Sequence, residues 1–217
     1  MAMPQSMPRD PEALARTPAE EPTSLAELNR LIAAVPPLVA TGGRAVLGEG
    51  PKGAAIAFVG EQPGDQEDVQ GKPFVGPAGL LLNRAMAEAG IDRDKVYVTN
   101  AVKHFKFQQR GKRRIHQKPT TGEVRHYRWW LMKELDFVHP RLTVALGATA
   151  VLALAGKALP IGRNRGPTSF ENRPGFITVH PSSLLRIPEE EARHEAYAAF
   201  VADLVQIRDL ARYSAAV

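Results

Sequence analysis

Four short apolar runs constrain this chain more than anything else in it: AAIAFVG (54–60), KVYVTNAV (95–102), LTVALG (142–147) and GFITVHP (175–181). Each has the length of a strand and is apolar almost throughout, the pattern of a strand covered on both faces. Helical patterns lie between them. GPAGLLLNRAMAEAG (76–90) ends at a C-cap glycine, TGEVRHYRWWLMKELDFV (121–138) carries an apolar stripe through Val124, Trp130, Leu131 and Leu135, and ATAVLALAG (148–156) is short and apolar. Ahead of the first run, Ser24 caps a helix with Glu27 three residues on, and Leu25, Leu28, Leu31, Ile32 and Val35 form its apolar face until Pro36 and Pro37. A last helix runs from about Glu189 to Tyr213. This alternation predicts an α/β fold: one domain, residues 24–213, with a central four-stranded parallel sheet and helices on both faces. Residues 1–23 hold five prolines and little apolar content and read as a disordered tail.

The chain has no cysteine, which removes disulfides, thiolate zinc sites, cysteine nucleophiles and all-cysteine iron–sulfur ligation. No apolar run approaches the roughly 18 residues of a membrane span, and the N-terminus lacks a signal peptide's basic head and apolar stretch. A cytoplasmic monomer with no membrane partner is the simplest expectation. Charge is distributed unevenly: residues 101–128 carry nine Lys or Arg against the single acid Glu123, a net +8, so the rest of the chain is −3. That concentration is the footprint of a phosphate-binding surface, with a solvated basic loop as the plainer alternative.

Three of the four strands deliver polar residues at their carboxyl ends: GEQPGDQED after the first, Asn100 closing the second, and His180 with PSSLLR after the fourth. Open α/β sheets place ligands at that edge. The chemistry there is not that of a phosphate-loop NTPase, because neither GDQEDVQGKP nor GATAVLALAGKAL has the G-x-x-x-x-G-K-[ST] spacing. G-x-G-x-x-G is missing after the first strand, H-E-x-x-H is absent, and Ser182 and Ser183 lack the G-x-S-x-G context of a serine nucleophile. No metal site is expected.

Taken together, GEQPGDQED, GKPFVGPAG, VTNAVKHFKF, KRRIHQKPT and HPSSLLR, spread over about Ala54 to Arg186, resemble the uracil-DNA glycosylase superfamily. Their order and spacing are similar to its family 4-type enzymes. KRRIHQKPT resembles in particular the family X (UdgX) branch, whose members cross-link to DNA. The resemblance implies excision of uracil from DNA, preferentially single-stranded, with free uracil as product. Such an enzyme must take the base out of the stack, stabilise a departing uracil anion and a cationic sugar, and supply a nucleophile to C1′.

The resemblance distributes those tasks. Phe74 is the face on which uracil stacks, and Asn100, with one acceptor and two donors, matches the N3–H and O4 edge of uracil and mismatches cytosine. His180 hydrogen-bonds uracil O2 as charge develops on it. Gln62 positions the base or the backbone, Gly64 allows close backbone approach, and Asp65 counts with them in the uracil pocket. Leu185 and Arg186 look like the wedge and phosphate contact that hold a flipped nucleotide, beside Ser182 and Ser183. Glu61 can steady the cationic sugar, hold a water, or accept a proton from an imidazole. Lys112, Arg113, Arg114 and Lys118 grip phosphates and, as like charges around His116, bias it toward the neutral, nucleophilic form that captures C1′. Plainer alternatives stay open here: Phe74 as core, Asn100 as a turn cap, His116 as one more phosphate contact. They correspond to a hydrolytic glycosylase with a Glu61-held water, or to a non-catalytic DNA-binding module.

The sequence departs from the resemblance in one respect. Family 4 and family X members are expected to carry an iron–sulfur cluster, yet Ala33 to Pro36 stand in about the place of an early cysteine pair and Tyr127 where a late cysteine is expected. No cofactor is therefore expected, with Tyr127, Trp129 and Trp130 as candidates for the missing brace.

Overall fold

The computed structural model describes residues 21–38 and 43–213, so the tail expectation lies, for residues 1–20, outside the described residues. The apolar runs become the strands β1 (Ile56–Gly60), β2 (Tyr97–Asn100), β5 (Leu142–Leu146) and β7 (Arg173–Thr178). They pair in parallel in the order β2-β1-β5-β7. To the four expected strands the structure adds a fifth, β6 (Gly166–Phe170), antiparallel on the edge beyond β7. Its sequence, GPTSF, escapes an apolar-run search because an edge strand tolerates proline and alternates half-buried with exposed positions.

Strand residues alternate between two cores. Ala57, Val59, Ala145 and Ile177 meet α1 (Leu25–Ala34), α4 (Thr121–Val138) and α5 (Ala148–Ala155) on one face. Ile56, Phe58, Val144 and Phe176 meet α3 (Pro77–Glu88) and α8 (Glu190–Tyr213) on the other. The Ser24 cap is formed, its hydroxyl accepting from Glu27 N–H at 3.2 Å. At α4, Thr120 and Glu123 make a reciprocal capping box.

Three short helices, α2 (Asp65–Gln70), α6 (Ile161–Asn164) and α7 (Pro181–Leu184), follow strands or precede the edge strand. The basic segment folds as a separate antiparallel hairpin of β3 (Phe107–Arg110) and β4 (Arg113–His116), with Gly111 at φ 56° in its turn. Chain order reverses at β1, since β2 lies on one side of it and β5 on the other. The crevice between the carboxyl ends of β1 and β5 is thus a topological switch point, the usual ligand position of an open α/β sheet.

Candidate active site

A cavity of about 950 Å3 opens at that edge. Its lining includes Glu61, Gln62, Gly64, Asp65, Phe74, Asn100, His116, Lys118, His180, Ser182, Ser183, Leu185 and Arg186, so thirteen of the residues singled out in the sequence converge. Lys112, Arg113 and Arg114 do not line it.

The loop after β1 is held by its own side chains. Glu67 of α2 is buried and accepts the main-chain N–H of Gly64 at 3.0 Å through one oxygen and that of Gly76 at 2.7 Å through the other. It thereby ties the turn to the segment that carries Phe74. Phe74 sits at φ 57°, a left-handed conformation uncommon for an aromatic residue and characteristic of functional sites. Its ring is 6.5 Å from that of His180 across the cavity, with planes inclined by 27°.

Glu61 occupies the switch point. Its Oε1 is 3.2 Å from His116 Nε2, and its Oε2 accepts from the Thr149 hydroxyl at 2.5 Å, at the start of α5. Burial alone would raise the Glu61 carboxyl, but the hydrogen bonds from His116 and Thr149 outweigh it and hold the group below the usual glutamate value. Thr149 was not singled out in the sequence. The sheet-edge argument could have found it, since the third strand was the one that seemed to deliver nothing polar.

His180 caps α7, and its Nδ1 accepts from Ser182 N–H at 3.2 Å and lies 2.8 Å from the Ser182 hydroxyl. A backbone donor on Nδ1 leaves the proton on Nε2. Burial pushes this imidazole down to about 4, so at neutral pH it is an uncharged donor. Gly147 makes room for it: at φ 84° a Cβ there would stand 2.9 Å from His180 Cβ. Ser183 donates to the His180 carbonyl at 2.7 Å, so both serine hydroxyls shape the turn. Leu185 is 45% exposed at the lip, an apolar side chain in water, with Arg186 beside it.

Two expectations change. Gln62 spends its amide on backbone, donating to the carbonyls of Lys106 at 3.2 Å and Gln117 at 3.1 Å and accepting from Lys106 N–H, so it clamps the hairpin's base and leaves no amide donor for uracil. Arg114 does not face outward to phosphate. It pairs with Asp65 and Asp68 at 2.5 Å each and lies over the rings of Phe105 and Phe107. Residues paired across a hairpin share a face, so Phe107, Arg114 and His116 turn toward the domain while Arg110, Arg113 and Ile115 turn away. The charged group touching His116 is consequently a carboxylate, and the nearby cation Arg114 is neutralised by two others. Lys103, Lys106 and Arg128 also pair with acids. Arg110, Lys112, Arg113 and Lys118 are exposed and make no ion pair among the described residues, so the cations available for the expected phosphate contacts are those of the hairpin tip and the cavity rim.

The residues present do not fit an iron–sulfur cluster. There is no cysteine, and Tyr127 is buried with its hydroxyl 2.6 Å from His104 Nδ1. Burial raises the Tyr127 phenol well above its ordinary value, so it stays protonated and can donate to His104. Burial pushes His104 down to about 4, keeping it a neutral acceptor.

A family model described as the uracil DNA glycosylase superfamily matches residues 47–205. The type-4 uracil-DNA glycosylase of Thermotoga maritima is 40% identical over 151 residues, 68% of this chain and 75% of that protein. The type-4 uracil-DNA glycosylase of Saccharolobus solfataricus is 36% identical over 154 residues, 66% of this chain and 68% of that protein. A DNA polymerase of Bacillus phage SP01 is 32% identical over 144 residues, 65% of this chain but 15% of that protein. With a match over more than half its length, laid across the sheet edge and cavity described above, the chain belongs to the uracil-DNA glycosylase superfamily.

Proposed function

We propose that the protein excises uracil from DNA and that His116 then captures the deoxyribose at C1′, leaving the protein covalently attached. The observation that carries the capture is the Glu61–His116 contact of 3.2 Å at the switch point, with the second Glu61 oxygen fixed by Thr149. Uracil resting on Phe74 would meet Asn100 along its N3–H and O4 edge, and the neutral His180 Nε2–H would point at O2. As the N1–C1′ bond breaks, its electron pair leaves with uracil, and a preorganised donor on O2 stabilises that anion. The Glu61 carboxylate faces the sugar's growing positive charge.

The His116 nitrogen that holds the free lone pair forms the N–C1′ bond. The proton on the other ring nitrogen passes to Glu61, and the product is a neutral N-linked imidazole. Reversal would require that ring to be protonated again. Single-stranded substrate suits the reaction, since flipping the base then needs no unpairing. Leu185, Arg186 and Lys118, which line the cavity, would hold the extruded nucleotide.

The test is a 5′-labelled single-stranded oligonucleotide with one uracil, incubated with the protein and run on a denaturing gel beside His116→Ala. The expected result is a slow, heat-resistant band that the substitution abolishes while alkali-labile sites still form. Alkali-labile DNA with no such band from the unaltered protein would establish hydrolysis by a Glu61-held water instead. Unchanged DNA would leave a binding module.

A further inference from the structure

Behind Asn100 stands a fully buried ion pair that takes no part in the chemistry above. Lys103 and Glu134 have side chains 0% exposed, with Nζ 2.5 Å from Oε2. The three ammonium donors of Lys103 meet three acceptors: Glu134 Oε2, the Thr99 hydroxyl at 2.7 Å and the main-chain carbonyl of Asn100 at 2.9 Å. Glu134 in turn accepts from Tyr97 at 2.9 Å and Thr99 at 3.1 Å. Neither Lys103 nor Glu134 reaches the cavity.

Stability alone accounts poorly for this arrangement, because two charges withdrawn from water are often replaceable by well-packed apolar side chains without loss. An apolar pair would not supply a donor to the Asn100 carbonyl. That carbonyl lies at the carboxyl end of β2, where the chain leaves the strand with Ala101 N–H on Gly60 O and Val102 N–H on Glu61 O. On the opposite side, Gly60 lets the Asn100 carboxamide and the Phe74 ring settle onto β1, since a Cβ there would stand 2.4 Å from Asn100 Oδ1 and 2.7 Å from Phe74 Cζ. Asn100 is thus gripped through its backbone by Lys103 and seated through its side chain over Gly60.

We propose that Lys103 and Glu134 are positioning residues for base recognition, fixing the main chain of Asn100 so that its carboxamide meets the uracil edge without reorganising. The inference rests on the reading of Asn100 as the residue that reads the base. The pair fixes the direction of hydrogen-bonding groups that must distinguish uracil from cytosine, where a small rotation exchanges a good donor angle for a poor one. A buried, mutually satisfied network is the means by which a protein locks such a rotamer.

The experiment is a cycle of single-turnover uracil excision and of inhibition by free uracil, using Lys103→Met/Glu134→Leu, Asn100→Ala and the combination, each checked by thermal melting. The pair variant is expected to melt close to the unaltered protein, to excise uracil at least about tenfold more slowly and to bind free uracil correspondingly more weakly. In the Asn100→Ala background, replacing the pair is expected to change nothing further, because the two act through one residue. Equal slowing in both backgrounds would overturn the proposal, as would unchanged excision and uracil binding in the pair variant. If Asn100→Ala itself left uracil excision and cytosine rejection intact, the reading of Asn100 would fall first, and the two failures are thereby told apart. Thr99→Val, which removes one acceptor of Lys103 and keeps both charges, carries the same cycle if the pair variant does not fold.

Discussion

At the scale of single residues the site turns on Glu61, whose two oxygens are claimed by different elements, His116 from the hairpin and Thr149 from α5. A carboxylate held at one oxygen cannot rotate the other away from its partner. Thr149→Val is expected to slow the chemical step by about 10- to 100-fold with little change in DNA affinity, and Thr149→Ser to restore it. The lost hydrogen bond is one of those holding Glu61 below its ordinary value, so its pKa rises in the valine variant and the acid limb of the rate profile moves to higher pH. Single-turnover rates across pH 4 to 8 check this. Glu61, Asn100 and His180 were legible in the sequence because each ends an apolar run and has nowhere to point but the sheet edge. Thr149 was not, since a hydroxyl at the start of an apolar helix carries no local sign of a partner 88 residues away. Gln62 was legible as a position but only half legible as a role. Its amide answers to two carbonyls 44 and 55 residues on, which no local pattern announces.

At the scale of elements the hairpin divides the labour that the charge run seemed to share. Its inward face is fastened by Arg114 to Asp65 and Asp68, its base by Gln62, and its outward face keeps Arg110 and Arg113 in solvent. Composition shows nine cations but not which of them have carboxylates waiting in another element, so the charge pattern alone overstated the number of cations left unpaired. Two kinds of variant therefore separate. Lys112→Gln and Arg113→Gln are each expected to lower the slope of log affinity against log salt by about 1, the signature of one lost phosphate contact. Arg114→Gln is expected to leave that slope nearly unchanged and to slow formation of the proposed His116 adduct by about 100-fold, because the ring is no longer held on Glu61. Binding titrations at several salt concentrations, with adduct formation followed in parallel, check both. The same contrast of local and distant signals explains the sheet. The four buried strands were read from their apolar runs, whereas β6, half exposed and opened by Gly166 and Pro167, takes its pairing from β7.

At the scale of the whole molecule, two desolvated imidazoles, buried His104 and half-buried His180, contribute to the response to acid. His104 and His180 are each pushed by burial from an ordinary 6.5 to about 4. The unfolded chain takes up both protons as pH falls through about 6.5, whereas the folded chain resists until about 4. The contribution of these two groups to stability is therefore complete above pH 6.5 and declines between 6.5 and 4, by up to about 3 kcal/mol for each histidine. Melting temperatures from pH 7.5 to 4.5 are expected to fall steadily, and less steeply for His104→Phe. The His104–Tyr127 hydrogen bond has a second consequence. A phenol and an imidazole carried by the chain itself need no external ligand to meet. With no cysteine to hold iron, the yield of folded protein is expected to be the same from iron-starved and iron-replete cultures.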